Sequence, residues 1–214
     1  HRGRDPWDDL PRIGRMRLLD FGCGSGAYLL RRREAGWSVT GVEPSHDAVV
    51  AARSRGLEVI EGSVPGVDLS DRTFDVITLL GVVACLPDPL TTLRALRERL
   101  ADEGMIIVST DNADAAAANW FGPDWPGWDL PRHYVHFTGA TLTDTLHRAG
   151  FAHVRIVGKR RTSRWRAAAR ARYASTGKRR WRFMARHRDL CSVMSRVLSR
   201  GRRADEIVAI AHAR

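Results

Sequence analysis

The chain has 214 residues, 43% of them hydrophobic, with 35 Lys and Arg against 24 Asp and Glu and a formal net charge of +11. That composition supports a sizeable buried core, and the absence of an apolar run long enough for a transmembrane helix leaves a soluble globular chain as the expectation. Cys23, Cys85 and Cys191 are odd in number and far apart, which argues against a disulfide framework or a Cys-x-x-Cys metal knuckle and makes the cytoplasm the expected compartment.

No signal peptide is read at the start, which is His1 rather than a methionine and is compatible with a missing leading segment. The first strand is expected at residues 16–21. It runs through Leu18, Leu19, Asp20 and Phe21 into the turn Gly22-Cys23-Gly24-Ser25-Gly26, and a helix begins near Ala27. Glycines at alternate positions allow a sharp turn and a close approach of backbone amides to a ligand. Further apolar runs place strands at residues 39–42, 59–60, 76–80 and 105–108, and two late ones at 151–157 and 206–211. Asp88 reads as an N-cap followed by Pro89 at the first helical position. Leu90, Leu93, Leu96 and Leu100 then recur at helical spacing before Gly104 ends the run. Alternating strands and helices imply a parallel sheet covered on both faces.

Two readings of the glycine turn compete. Gly22-x-Gly24-x-x-Ala27, with Glu43 roughly twenty residues beyond its start, satisfies the dinucleotide fingerprint of nicotinamide (NAD) oxidoreductases. The same stretch reads Asp20-x-Gly22-x-Gly24-x-Gly26, which resembles the glycine loop of class I S-adenosylmethionine (SAM) methyltransferases. The resemblance extends to Gly41-Val42-Glu43-Pro44-Ser45, to Phe74 through Leu80, and to Leu86-Pro87-Asp88-Pro89. Residues 128–137 (WDLPRHYVHF) are similar to a segment of the branch associated with sugar, cell-envelope and natural-product methylation. The likeness covers about residues 16–158 and resumes at 206–212.

It implies an α/β, Rossmann-like class I methyltransferase fold. The sheet is then mostly parallel and seven-stranded, with an antiparallel final strand and helices on both faces. The whole chain, 1–214, is read as a single SAM-dependent methyltransferase domain. On this reading the cofactor is SAM, with S-adenosylhomocysteine as product. Asp20, Gly22, Gly24 and Gly26 form its loop, Glu43 meets the ribose, and Ser63 or the Val64 backbone meets the adenine, Ser63 standing where many relatives carry an acid. Ubiquinone-pathway O-methyltransferases that resemble the chain carry a Glu-His pair where this one has Ala84 and Cys85, so no metal is expected.

Residues 155–203 hold 18 of the 35 Lys and Arg and a single acid, Asp189, a net of +17; the rest of the chain holds 17 bases and 23 acids, a net of −6. This segment is read as a basic helical insertion at about residues 159–204, between the last two strands. Trp181, Met184, Cys191, Met194 and Leu198 recur along it at helical spacing. It is either a solvated face or a surface for an anion: a phosphorylated acceptor, an acidic lipid surface touched peripherally, or RNA. An RNA-binding protein or RNA methyltransferase is therefore a third reading, although no Asn-Pro-Pro-Tyr base-reading motif is present.

The acceptor pocket is expected beyond the fifth strand, above the carboxyl ends of the sheet. Its candidates are Asp111, Asn112, Asn119, Trp120, Trp125, Trp128, Asp129, Arg132, His133, Tyr134 and His136. The tryptophans form either the small core of a lid or a stacking wall for a ring. His133 or His136 is the candidate base for an acceptor hydroxyl, with Asp111 as the fallback. The expected reaction is methyl transfer to a small molecule, with O-methylation of a sugar, envelope or natural-product precursor leading.

Overall fold

The computed structural model describes residues 6–214. In chain order it runs β1 (Arg17–Phe21), α1 (Ala27–Glu34), β2 (Ser38–Glu43), α2 (His46–Arg53), β3 (Val59–Glu61), β4 (Phe74–Leu80), α3 (Pro89–Arg97) and β5 (Leu100–Asp111). It continues through α4 (Ala116–Phe121), α5 (Gly139–Arg148), β6 (Ala152–Lys159), α6 (Thr162–Thr176), α7 (Arg179–Arg186), α8 (Arg188–Leu198) and β7 (Glu206–His212). The strands form one sheet in the order β3-β2-β1-β4-β5-β7-β6. Strands β1 to β5 pair in parallel, and β7 is inserted antiparallel between β5 and β6.

Successive residues of a strand point to opposite faces, and the two main apolar clusters follow that rule. Leu19, Ile77 and Ile106 face one cluster with Leu93, Leu96, Leu142 and Leu146, whereas their neighbours Leu18, Val76 and Ile107 face the other with Leu29, Trp37 and Val49. A third cluster, Phe121, Trp125, Trp165, Trp181, Met184 and Cys191, joins α4 and the turn after it to α6, α7 and α8.

Every expected strand is present, with ends displaced by one to a few residues. Asp88 caps α3 as read, its side chain accepting from the Thr91 amide at 3.0 Å, a contact worth about 1 kcal/mol. The helix nevertheless stops at Arg97. Leu100 pairs with Phe74 as the first residue of β5, and Gly104 sits in the irregularity between that pair and Val76–Met105 rather than at a helix end. A Cβ at Gly104 would lie 2.9 Å from the Ala101 carbonyl oxygen, which is why the tight bulge takes glycine there. The basic segment is three helices rather than one run, because the chain leaves helical geometry at Gly177 (φ +66°) and at His187. Asp205, fully buried just before β7, ties its two ends together by accepting from the Arg161 amide at 2.7 Å, Trp165 Nε1 at 3.0 Å and Ser199 Oγ at 2.9 Å.

Candidate functional site

β1 delivers the chain into its turn with Gly22 at φ +76°, Gly24 at +53° and Gly26 at +78°, all in the left-handed region that favours glycine. The three differ in what they face. A Cβ at Gly22 would meet Val82 Cγ2 at 2.4 Å and one at Gly26 would meet Leu57 Cδ1 at 2.2 Å, whereas one at Gly24 would meet nothing within 4 Å. The outer glycines thus serve packing, and the middle one leaves open space against its backbone.

Glu43, at the end of β2, governs this loop. Its Oε2 accepts from the Gly24 amide at 2.9 Å and its Oε1 from the Ser45 amide at 3.0 Å, and each carboxylate oxygen keeps a further lone pair. Asp20 is buried beneath the loop and accepts from Thr78 Oγ1 at 2.6 Å. Burial pushes its carboxyl up to about 7 against the effect of that hydrogen bond, and the Glu43 charge adds to the rise. A buried acid whose partner is a hydroxyl is set to receive a cation. Gly62 donates to the Glu43 carbonyl at 3.0 Å, which brings exposed Ser63 and buried Val64 to the same rim. These residues fit a cofactor with a cationic methionine part and a ribose: an open glycine backbone, an acid with spare lone pairs, and a buried carboxyl that forms no ion pair among the described residues.

A polar cavity of about 250 Å³ opens where β4 and β5 end, lined by Leu80, Gly81, Ser109, Thr110 and Asp111. The methyl carbons of Val82, next to Gly81, occupy the place a Gly22 side chain would take, so the cavity lies beside the glycine loop. Asp129, Arg132 and His133 close it from one side, and Arg161, Arg164, Glu206 and Trp7 from the other. Segment 128–137 is pinned over the sheet because the Ala84 carbonyl accepts from the Tyr134 amide at 2.8 Å and the Val135 amide at 3.2 Å.

Inside the cavity, Asp111 Oδ1 lies 2.7 Å from Arg164 Nη2. Burial pushes Asp111 up to about 6, the Arg164 charge opposes the shift, and the Glu206 charge adds to it. His133 is buried with Nε2 3.7 Å from Asp129 Oδ2. Burial pushes its imidazole down while the Asp129 carboxylate opposes the shift, so it stays neutral at physiological pH. His136 is exposed and outside the cavity lining. Its Nε2 lies 2.9 Å from the Trp128 carbonyl, which can only accept, so that nitrogen carries the hydrogen.

Other sequence candidates have structural roles. Asn112 is fully buried and donates to the Arg202 and Ala204 carbonyls at 2.8 and 2.7 Å. Trp125 belongs to the third cluster and meets Trp128 edge-on at 5.0 Å between centroids, and Trp128 Nε1 donates to the Gly122 carbonyl at 2.8 Å. Trp125 and Trp128 therefore belong to a small core rather than to a wall of the cavity, and Trp120, also outside the lining, is 48% exposed with its ring 6.5 Å from that of Trp165. Arg161, Arg164 and Glu206, which do line it, were hidden in a charge run and at the start of the last strand, where no periodic signal marks them.

The methyltransferase-domain family matches residues 4–156 of the sequence. The chain belongs to that family. This methyltransferase is 29% identical over 154 residues to the tRNA U34 carboxymethyltransferase of Desulfotalea psychrophila, covering 68% of this chain and 48% of that protein. It is 34% identical over 103 residues to the mitochondrial ubiquinone biosynthesis O-methyltransferase of Schizosaccharomyces pombe, covering 44% of this chain and 37% of that one. The chain spans about half or less of the length of these relatives. Its fold matches that of a SAM-dependent methyltransferase, possible histamine N-methyltransferase, from Thermotoga maritima, with a TM-score of 0.65, 18% identity, and coverage of 95% of this chain and 84% of that one. Membership of the methyltransferase family supports the SAM reading of the glycine loop over the nicotinamide one.

Proposed function

We propose that this methyltransferase transfers a methyl group to a hydroxyl of a small polar acceptor, of the kind found in sugar, envelope or natural-product precursors. The observation that carries the reading is the cavity beside the glycine loop, where neutral His133 and Asp111 stand among hydrogen-bonding side chains. SAM, when bound, supplies an electrophilic methyl group on a sulfonium sulfur. The chain's part is to position two reactants and to exclude water.

In this reading the backbone of Gly22, Gly24 and Gly26 cradles the methionine and ribose portion. Glu43 accepts from ribose hydroxyls while holding the Gly24 amide, Asp20 balances the positive charge, and Ser63 and the Val64 backbone border the adenine. On the acceptor side, His133 takes the hydroxyl proton as the new C–O bond forms and the C–S bond breaks, and Asp129 stabilises the resulting imidazolium. Arg132 and Arg164 hold acidic or hydroxylated parts of the acceptor.

The test is transfer from trideuteromethyl-labelled SAM to a panel of polyhydroxylated acceptors, with bulk RNA in the same assay because the arginine content of α6 to α8 favours a nucleic-acid acceptor as the second reading. Label appearing on acceptor oxygen supports the proposal. Label appearing only on RNA replaces it.

A further inference from the structure

The basic helices carry two features that the methyl-transfer site does not use. Arg166 and Arg170, one turn apart on α6, face Arg182 and Arg186, one turn apart on α7, across a groove of about 390 Å³ also lined by Ala185 and Tyr173. Arg166 Nε lies 3.5 Å from the Ala185 carbonyl, and among the described residues Arg170, Arg182 and Arg186 form no ion pair. Four arginines lining one groove concentrate like charge there and favour an anionic occupant. Separately, α8 turns Leu190, Val193 and Val197 outward at spacings of three and four, 37%, 54% and 58% exposed. Arg196 and Arg200 are exposed beside them. Phe183 of α7, 58% exposed, rests its ring 4.0 Å from that of His187 at the joint between the two helices.

We propose that α7 and α8 dock this protein on an anionic phospholipid surface, with headgroup phosphates entering the arginine groove and the Leu190, Val193 and Val197 stripe entering the interface. Charge and apolarity together select this occupant. An amphipathic helix with basic flanks lies in the plane of an anionic bilayer and gains from both terms. Single-stranded nucleic acid would match the arginines but gains its remaining affinity by stacking on aromatic rings, and three of these four exposed apolar side chains are aliphatic. A second copy of the chain would set a +17 segment against its like. No helix among the described residues is long and apolar enough to cross a membrane, so the contact is peripheral. The inference does not depend on the identity of the methyl acceptor.

The test is co-sedimentation of the full chain with vesicles of phosphatidylcholine alone and of phosphatidylcholine with phosphatidylglycerol, at low and high salt. It includes the double variants Arg182→Gln/Arg186→Gln and Val193→Ser/Val197→Ser. All substitutions lie on the surface apart from the groove wall, and retained S-adenosylhomocysteine binding reports an intact fold. The expected result is binding to the anionic vesicles only, weakened by salt, with each double variant losing about tenfold or more in partitioning. Equal binding to both vesicle types, or to neither, overturns the proposal. A loss confined to the arginine variant overturns the lipid assignment. Protection of the groove by RNA or inorganic phosphate without any vesicle binding gives the site to a soluble anion instead.

Discussion

The Gly24 amide donates to Glu43 Oε2 at 2.9 Å, so the acid at the end of β2 holds the middle of the glycine loop in place. Because Gly24 faces open space while Gly22 and Gly26 face packed side chains, alanine should act differently along the loop. Gly26→Ala drives a methyl into Leu57 and should lower the melting temperature sharply. Gly24→Ala, strained only by its positive φ, should cost about 1 kcal/mol of stability and weaken S-adenosylhomocysteine binding more than stability. Paired thermal melts and calorimetry check this, and equal effects at both positions would contradict the assignment of Gly24 to the ligand side.

Asp20 predicts a pH dependence of the ligand-free protein. Its folded pKa, about 7, lies above the ordinary value of about 4, so between those limits the folded state holds the extra proton. Stability from this group therefore declines as pH rises through that window and levels off above it. Asp20→Asn keeps an oxygen for the Thr78 hydroxyl and removes the ionisation. Its melting temperature relative to the parent should rise from about pH 5 to about pH 8, while its affinity for SAM falls. A gap that does not change with pH would place the ionised Asp20 in a better-solvated setting than the structure gives it.

The acceptor side makes a kinetic prediction. Replacing His133 by Ala should lower turnover by roughly 10² while leaving S-adenosylhomocysteine affinity nearly intact, and His136→Ala should have a small effect because its ring stands outside the cavity. As the base, His133 should give the parent rate a limb that falls as pH drops below the ordinary imidazole range, because burial holds its pKa down, and His133→Ala should remove that limb. Full activity in both histidine variants would assign the reaction to an acceptor needing no base.

Asp205 joins the basic helices to the sheet through three hydrogen bonds. Bonds to a buried charged acceptor are worth about 1.5–3 kcal/mol each and do not add fully. Asp205→Ala should cost about 3–5 kcal/mol of stability and expose residues 160–200 to limited proteolysis, with cofactor affinity retained. Asp205→Asn should recover part of the loss. Unchanged proteolysis in the alanine variant would show that the third cluster holds the helices without this tie.

Much of this arrangement is legible in the sequence because the physics is local. The strand patterns, the glycine turn and the Asp88-Pro89 cap depend on neighbours in the chain. The misreadings arise where tertiary partners override local pattern. Leu100 continues the helical spacing of α3, yet Phe74 recruits it into β5. Trp181 and Cys191 keep a helical spacing although they sit on separate helices, since both point into one cluster. Arg161 and Arg164 line the cavity from the start of α6, where the Arg161 amide donates to Asp205, a residue distant in the chain, and no short-range signal carries that information.

The most direct test of the account is calorimetric titration of S-adenosylhomocysteine into the parent and into Glu43→Ala. The variant removes an acid that holds the Gly24 and Ser45 amides and that is assigned to the ribose hydroxyls, contacts worth about 1.5–3 kcal/mol each. The account predicts one site per chain in the parent and an affinity lower by about tenfold or more in a variant that still melts cooperatively. Equal affinity in the two folded proteins would contradict it and place the cofactor elsewhere on the sheet.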